Sequence, residues 1–161
     1  MNKHWPRWIE ASVWKHIDTI CQANNLTLYR EAALNRDEIL QLADYTEFRL
    51  DGPFIEQMHP KNYYHLEIEV NIAIASKLHL KDIFRMKRNQ GIILTALEGP
   101  IPIYRYGRGA EDTGTLLGCF TIVPKRDRND RFVVSNFGRI EPSTPMEQST
   151  VEGHYRMEVT G

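Results

Sequence analysis

The sequence predicts an α+β fold, with a mainly antiparallel sheet that contains a long β-hairpin and with two main helices packed on one face. Apolar residues recur at three- and four-residue steps over residues 6–24 and again over 80–97, which is the period of an amphipathic helix. Between these segments, apolar and polar residues alternate over 45–75, as in a pair of half-buried strands. This order contains no repeated β-helix-β units, which argues against a doubly wound nucleotide-binding sheet.

The first helix is predicted over residues 6–24, and a short strand follows over 26–29. Pro6 suits the first turn of a helix, and Asn24 provides a stop because asparagine tolerates the left-handed backbone that commonly ends a helix. Residues 31–44 have a helix-favouring composition but weak periodicity, so we expect a connecting loop that includes helical turns at most. The buried stripe of the first helix consists of Trp8, Ile9, Val13, Ile17 and Ile20.

The predicted hairpin over 45–75 depends mainly on its second strand, in which every second residue is aliphatic. The aliphatic face consists of Leu66, Ile68, Val70, Ile72 and Ile74. The opposite face consists of His65, Glu67, Glu69 and Asn71. The second helix is predicted over 80–97, and the Gly99-Pro100 pair ends it. Its buried stripe consists of Leu80, Ile83, Phe84, Gln90, Ile93, Leu94 and Leu97.

The rest of the chain is predicted to be β structure. The elements are a strand over 101–106, a glycine-rich loop over 107–115, a strand over 116–123, a charged turn over 124–130 and a strand over 131–140. Residues 141–150 are rich in Pro, Ser, Thr and Gln and indicate a flexible connector, whereas 151–160 alternate again. We therefore expect a single domain over 1–140, followed over 141–161 by a connector and a carboxy-terminal strand. That strand could close the chain's own sheet or add to the sheet of a neighbouring subunit.

Composition and charge exclude several classes of protein. The 161 residues contain 20 lysines and arginines against 21 aspartates and glutamates, a net charge of -1, so no global field draws the chain onto nucleic acid or a membrane. The apolar run over 91–103 is shorter than the roughly 20 residues of a membrane-spanning helix, and the polar start does not resemble a secretory signal. We therefore expect a cytosolic protein without membrane contact. Cys21 and Cys119 are predicted to be free core thiols, and no Cys-x-x-Cys pair offers a zinc site.

His65, Glu67 and Glu69 are the strongest candidates for chemistry, because they share one face of a strand. They could hold a metal ion if another strand supplied further ligands, since same-face neighbours lie about 7 Å apart. The two glutamates could instead form a general acid/base pair. A solvated or intersubunit polar face is the simpler interpretation. The glycine-rich loop lacks the end of a phosphate-binding loop, and no nucleophile motif occurs, so we predict a non-enzyme with no catalytic residue, metal or cofactor.

Basic residues recur at helical spacing before and within the second helix. The predicted basic stripe consists of Lys77, Lys81, Arg85 and Arg88. Such a stripe is usually solvated, but it could also contact DNA phosphates or an acidic partner. A second basic cluster lies within the charged turn and reaches residue 131.

Three tryptophans lie within the first fourteen residues: Trp5, Trp8 and Trp14. They cannot all point the same way on one helix, so at least one is expected to face outward. Exposed tryptophan often marks an interface, and the alternative is that all three cap a small core.

The order and lengths of these elements resemble those of bacteriophage tail terminators, the small neck proteins that cap the tail tube. The resemblance covers a helix that ends in Asn24-Asn25, a short strand and loop, a hairpin whose second strand starts at Tyr63, a second helix and a terminal β segment. The chain also resembles virion structural proteins of contractile-tailed phages. The shared strings are His4-Trp5-Pro6-Arg7-Trp8-Ile9, Leu50-Asp51-Gly52-Pro53 and Ile101-Pro102-Ile103-Tyr104-Arg105-Tyr106-Gly107.

The resemblance implies a hexameric ring of non-enzymatic subunits in the virion neck, assembled in the host cytoplasm. Such a ring stops tube polymerisation, caps the sheath and presents a docking surface for the head connector. Its partners would be copies of itself, the tail tube and sheath proteins and the head connector, with DNA only in transit through the channel. The tail after Ile140 is longer than in the smaller terminators, so tube terminator, sheath terminator and tail-completion protein all stay open.

The resemblance also implies where subunits meet and what lines the channel. A strand on a flexible arm can link subunits, so residues 151–160 are expected to pair with an adjacent subunit. The expected interface residues, besides the three tryptophans, are Val151, Tyr155 and Met157. An inner wall that does not hold phosphates would be acidic, and its candidates are Glu67, Glu69, Glu111 and Asp112. Two other functions stay open: a small metal-dependent enzyme that uses the face of His65, Glu67 and Glu69, and a small nucleic-acid-binding module that uses the basic stripe.

Overall fold

The computed structural model describes residues 1–58, 62–78, 82–108, 112–124, 132–139 and 146–160. In chain order the elements are α1 (Trp5–Ala23), β1 (Leu28–Arg30), α2 (Arg36–Gln41), β2 (Asp44–Met58), β3 (Tyr63–Lys77), α3 (Arg85–Glu98), β4 (Ile101–Tyr106), β5 (Asp112–Ile122), β6 (Phe132–Arg139) and β7 (Met146–Thr160). The predicted α+β class is confirmed, since helices pack against a curled sheet. All the strand pairs described are antiparallel except β1 with β2.

The centre of the sheet is the pair formed by β3 and β7. These strands run antiparallel over their whole length, from Tyr63 opposite Thr160 to Lys77 opposite Met146. The strand order is β1-β2-β3-β7-β5-β4, and β6 also pairs with β7. β7 therefore has β3 along one side, and β6 and then β5 along the other.

The predicted hairpin is present as β2 and β3, with one irregularity in β2. The register shifts between Asp51 and Phe54, where Gly52 has a φ angle of +106°. A Cβ atom at Gly52 would lie 2.9 Å from the backbone oxygen of Glu67. This bulge therefore requires glycine, both for its backbone angle and for its close approach to β3.

The carboxy-terminal segment is an integral strand of the sheet. Residues 146–150 of the predicted connector belong to β7, and its remaining residues, 141–145, lie outside the described ranges. Residues 151–160 pair with β3 of the same chain, so the prediction that they pair with an adjacent subunit is wrong. The physical reason is that both edges of β7 are paired within the chain over residues 147–156, which leaves no free edge there for a neighbour.

The main core lies between the sheet and the two helices α1 and α3. The even-numbered residues of β3 from Leu66 to Ile74 are fully buried there, as the alternation predicts. Opposite them on β7, Val151 and Tyr155 are 0% exposed and Met157 is 4% exposed. The prediction that these three residues form an intersubunit interface is wrong, because their side chains fill the core of their own subunit.

The tryptophans contribute to the same core. Trp5 and Trp8 are each 6% exposed and pack edge to face, and the Trp8 indole nitrogen donates to the Tyr106 backbone oxygen at 3.0 Å. Trp14 is half-buried, and the guanidinium of Arg30 lies 4.4 Å from its ring centre. The interface prediction is therefore wrong for Trp5 and Trp8, and Trp14 is partly covered by a side chain of its own subunit.

The segment predicted as a loop over 31–44 contains α2 and packs on the other face of the sheet. A capping box begins α2: the Asn35 side chain accepts from the Glu38 backbone N–H, and the Glu38 side chain accepts from the Asn35 N–H. Ala75, an odd-numbered residue of β3, faces away from α1 and α3 and lies in a second, smaller core. The buried residues of this second core are Tyr45, Ala75 and Met146. The two main helices thus lie on one face, as predicted, and α2 is an addition on the other.

The second main helix is shorter than predicted. α3 begins at Arg85 instead of Leu80, and Leu80 lies outside the described residues. Ile83 and Phe84, which the prediction assigned to the buried stripe, precede the helix and are 67% and 66% exposed. Their predicted burial is wrong because the helical period does not extend to them.

The two cysteines differ in environment. Cys21 is buried, as predicted, and this burial, reinforced by nearby Asp18, raises the pKa of its thiol to about 11. Cys119 is exposed, which corrects the prediction that both are core residues, because it alternates along β5 with the buried Phe120.

Among the helices of the described ranges, none has the length and apolar character needed to cross a membrane.

Candidate functional site

The candidate site is the face of β2, β3 and β7 that points away from α1 and α3, which we call the outer face. Residues opposite each other on paired strands share a face, and along each strand these residues alternate with the core residues. The outer face therefore collects the charged half of each strand into one surface. Its charged and polar members include Glu47, Arg49, Asp51 and Glu56 of β2, His65, Glu67, Glu69 and Asn71 of β3, and Glu152, His154, Arg156 and Glu158 of β7.

Glu67 is the centre of a hydrogen-bonded cluster at one end of the outer face. Its Oε1 atom lies 2.9 Å from Nε2 of His65 and accepts from an Arg156 guanidinium nitrogen at 3.2 Å. Its Oε2 atom lies 3.1 Å from Nε2 of His154. The hydrogen bond from His65, then those from His154 and Arg156, lower the pKa of Glu67 to about 2 against the opposing effect of burial. The carboxylate is therefore ionised throughout the neutral range.

The Glu67 cluster tests the predicted chemistry of this face. His65 and Glu67 are in contact, as their shared strand face predicts, whereas His154 and Arg156 were missed because only the register of β7 against β3 brings them there. The imidazole nitrogens that face Glu67 are engaged by its carboxylate, and Arg156 adds a fixed positive charge. Over the residues described, no group of three or more His, Cys, Asp or Glu side chains has the arrangement of a metal site. The geometry thus gives the metal-binding alternative no support.

An acidic cleft of about 340 Å³ lies next to this cluster, in the middle of the outer face. Five carboxylates and one guanidinium are among its lining groups. Both oxygens of Asp51 accept hydrogen bonds, one from Arg49 at 3.2 Å and the other from Asn71 at 3.0 Å. A concave surface of one charge sign concentrates the field, so the cleft repels anions. The lining residues are Glu31, Glu47, Arg49, Asp51, Glu69, Asn71, Ala73, Thr150 and Glu152.

The structure separates the three described residues among those proposed to line a channel. Glu69 lines the acidic cleft, whereas Glu67 lies in the neighbouring cluster, where Arg156 offsets its charge. Asp112 is the first residue of β5 and lies opposite Tyr106 of β4. Among the described residues, neither β4 nor β5 lines the acidic cleft. Glu111 lies outside the described ranges. Of the three described residues, Glu69 is thus the one that lines the acidic cleft with other carboxylates.

A second, mainly apolar cleft of about 300 Å³ lies at the α2 end of the outer face. Glu47 lines both clefts, and it accepts a hydrogen bond from the hydroxyl of Tyr45. This cleft was not predictable from residues 31–44, whose weak periodicity indicated a loop and not α2. Its lining residues are Arg36, Ile39, Leu40, Tyr45, Glu47, Ala73, Ile74, Ala75 and Gln148.

The predicted basic stripe does not exist as one helix face. Lys77 belongs to β3, because α3 begins only at Arg85, and Lys81 lies outside the described residues. The Arg85 guanidinium donates to both carboxylate oxygens of Asp44, with Nε at 2.8 Å from Oδ1.

The remaining stripe residue is also neutralised locally. Arg88 donates to both oxygens of Asp82 at 2.9 Å. The two arginines of α3 therefore carry carboxylate partners instead of presenting free charge to phosphates. The second predicted basic cluster, over 125–131, lies outside the described residues.

Among the described strands, β2 and β6 combine an open edge with exposed apolar side chains. β1 pairs with β2 only over Thr46–Phe48, so no strand of the described ranges pairs with the outer edge of β2 from residue 49 to residue 58. β6 pairs with β7, and no described strand pairs with its other edge. Large apolar side chains stand exposed on both strands: Phe54, Ile55 and Met58 on β2, and Val134 and Phe137 on β6.

Comparison with known proteins adds no assignment. No protein-family model matches the chain, and no curated protein matches it. The function is therefore argued from the outer face and the open strand edges.

Proposed function

We propose that this protein is a structural subunit of a bacteriophage neck. Copies assemble into a ring, which we take to be hexameric, that terminates the tail tube or sheath and joins the tail to the head connector. The single observation that carries the proposal is the acidic cleft on the outer face, a concave surface on which carboxylates outnumber guanidinium groups five to one. The class of protein is proposed from the order of the secondary-structure elements, which resembles that of bacteriophage tail terminators.

An acidic inner wall suits a channel through which DNA must pass. Double-stranded DNA carries one negative charge per about 1.7 Å of its axis, and proteins that hold it do so by neutralising phosphates with Lys and Arg. A wall of carboxylates does the opposite, so that DNA moves without being held. Glu47, Asp51, Glu69 and Glu152 come from three adjacent strands, and a ring that turns this face inward would repeat the acidic patch around its lumen.

The same features weigh against the two alternatives. A nucleic-acid-binding module needs unpaired basic groups, whereas Arg85 and Arg88 of the predicted stripe are bonded to Asp44 and Asp82. A metal-dependent enzyme needs convergent ligands, whereas the carboxylate of Glu67 is engaged by Arg156 and the two histidines. A structural role requires neither.

The first experiment measures the mass of the purified protein by light scattering behind size exclusion, over a series of concentrations. The proposal predicts a closed ring of about six 18.8-kDa chains, visible by electron microscopy as a ring with a central hole. In the phage that encodes the chain, loss of the gene should leave heads and tails unjoined. A chain that is monomeric at every concentration, in a genome without tail genes, would overturn the proposal.

A second experiment tests the acidic wall. The triple variant Glu47→Gln, Glu69→Gln and Glu152→Gln keeps the shape of the cleft and removes three of its charges. We expect the wild-type ring to show no DNA binding at low salt and the variant ring to bind, with an affinity that falls as salt rises. The control replaces the exposed acids Glu10, Asp37 and Glu98, which lie on helices outside the cleft. If both triple variants gain the same affinity, net charge and not the cleft excludes DNA.

A further inference from the structure

We propose that the open edge of β2 in one subunit pairs with the open edge of β6 in the next, so that the sheet continues from subunit to subunit around the ring. This inference rests on the proposed function, because it specifies the contact that builds the ring. The occupant of each edge is therefore a second copy of this chain.

The two edges lie at opposite ends of one four-strand run. The order of that run is β2-β3-β7-β6, with β2 at one end and β6 at the other. Adding a copy edge to edge extends this run without breaking any existing pair. Because the two edges are different surfaces, the contact is head to tail, which is the type of interface that generates closed rings with more than two subunits.

Both edges have the length and side chains of an interface. The open part of β2 covers residues 49–58, but the bulge and Pro53 interrupt it, so the stretch that can pair with Phe132–Arg139 of β6 is 54–58. On β2, Phe54 is 54% and Ile55 is 48% exposed, and on β6 Val134 is 40% and Phe137 is 60% exposed. An edge strand that exposes large apolar side chains is a template for pairing, and soluble proteins usually block such edges with bulges or proline. In β2 the bulge and Pro53 lie before Phe54 and leave the apolar stretch 54–58 unblocked.

The charges beside the two edges are complementary. Glu56 is exposed on the open part of β2, and residues 54–58 contain no basic residue. Residues 132–139 contain no acidic residue, and exposed Lys87 of α3 lies beside β6, donating to the side chain of Asn136 at 3.2 Å. A second copy satisfies both edges at once, whereas an unrelated peptide would fill one edge and leave the other open.

The outer edge of β4, in contrast, is blocked by the chain itself. The outer edge of β4 is covered by α1, because the Ser12 hydroxyl accepts from the Tyr104 backbone N–H at 2.9 Å. Trp8 and Arg7 donate to the Tyr106 backbone oxygen at 3.0 and 3.2 Å. These side chains occupy the backbone groups that a neighbouring strand would need. These contacts make the outer edge of β4 unavailable for pairing, unlike the edges of β2 and β6.

The test uses two complementary variants and the solution mass of the full chain. Ile55→Glu places a charge on the β2 edge, and Val134→Glu places one on the β6 edge. Both side chains are at least 40% exposed, so each variant should fold like the wild type, which circular dichroism and thermal unfolding check. The matched controls are Ile55→Val, which keeps the apolar edge, and Thr95→Glu, which adds the same charge on the exposed side of α3.

We expect a roughly six-fold fall in mass for each variant alone, to the monomer, while both controls keep the ring. An equimolar mixture of the two variants should form a dimer, because the intact β6 edge of one meets the intact β2 edge of the other. If both variants keep the wild-type ring, the edge pairing is wrong and the proposed ring stands. If Val134→Glu alone forms a dimer, β2 pairs with β2 and the head-to-tail pairing is wrong. If the wild type is monomeric at every concentration, both the pairing and the ring are wrong.

Discussion

Replacing Glu67 with glutamine tests how strongly the charged cluster on the outer face stabilises the fold. The substitution keeps the size of the side chain and removes its negative charge. His65, His154 and Arg156 then lose the carboxylate toward which they point. The variant should therefore be less stable than the wild type at neutral pH.

The size of the effect follows from the pKa of Glu67. Its pKa is lowered from 4.5 to about 2, chiefly by the hydrogen bond from His65. At about 1.4 kcal/mol per pKa unit, the ionised form gains at most about 3 kcal/mol on folding. The side chain is 21% exposed, so solvent screening reduces this figure, and we expect a loss of about 2 kcal/mol in the free energy of unfolding at pH 7.

The sign of the pH dependence is fixed by the direction of the pKa shift. A carboxyl whose folded pKa is lowered contributes stability that is present above its unfolded pKa, here 4.5, and is lost as the pH falls toward the folded pKa of about 2. The difference between the wild type and Glu67→Gln should thus be present above pH 4.5 and decline below it. It should fall to about half near pH 3.5 and almost vanish near pH 2.

Urea denaturation followed by circular dichroism at several pH values measures this difference. The control is Glu10→Gln, which removes a carboxylate from an exposed ion pair with Arg30, where both side chains are more than half exposed. Such surface pairs contribute about 0–1 kcal/mol, so the control should change stability little at any pH. A loss for Glu67→Gln that is equally large at pH 7 and pH 2.5 would refute the argument, because it would then come from packing and not from charge.

Two further substitutions test packing elsewhere in the fold. Arg85→Lys removes the bidentate contact with Asp44, whose pKa is lowered because hydrogen bonds outweigh the effect of burial. The free energy of unfolding at pH 7, measured by urea denaturation, should fall by about 1–2 kcal/mol. An unchanged midpoint would mean that other contacts hold α3 in place. Gly153→Ala places a Cβ atom 2.8 Å from the buried ring of Tyr155 and should cost about 1–3 kcal/mol, whereas Gly91→Ala meets nothing within 4 Å on α3 and should be neutral or stabilising. Equal thermal midpoints for the two alanine variants would contradict the crowding at Gly153.

The spacing at which apolar side chains recur in each helix and strand could be predicted from the sequence, because it depends only on neighbouring residues. The predicted first helix over 6–24 matches α1 at Trp5–Ala23, and the hairpin over 45–75 matches β2 and β3. The faces of β3 were also predictable, since Glu67 and Glu69 lie on the outer face and the aliphatic residues lie in the core. These features follow from the alternation of side chains along a strand.

Errors occurred where the outcome depends on partners distant in the chain. Trp8 is polar at one atom and apolar elsewhere, and its burial requires the backbone oxygen of Tyr106 as acceptor, 98 residues away. The start of α3 at Arg85 coincides with the contact to Asp44, 41 residues away. Local periodicity contains neither piece of information, so the helix was predicted too long and the tryptophans were expected at an interface.

In the candidate site, too, some features depend on local periodicity and others on contacts between residues distant in the chain. The α+β class, the main helices, the long hairpin and the charged half of β3 could be predicted because they depend on side-chain periodicity over a few residues. The central position of β7, the contacts of His154 and Arg156 with Glu67, and the acidic cleft across three strands depend on long-range packing. The physical reason is that strand register is set by the packing of whole faces against a shared core, and a shift of one residue would have placed His154 and Arg156 inside it.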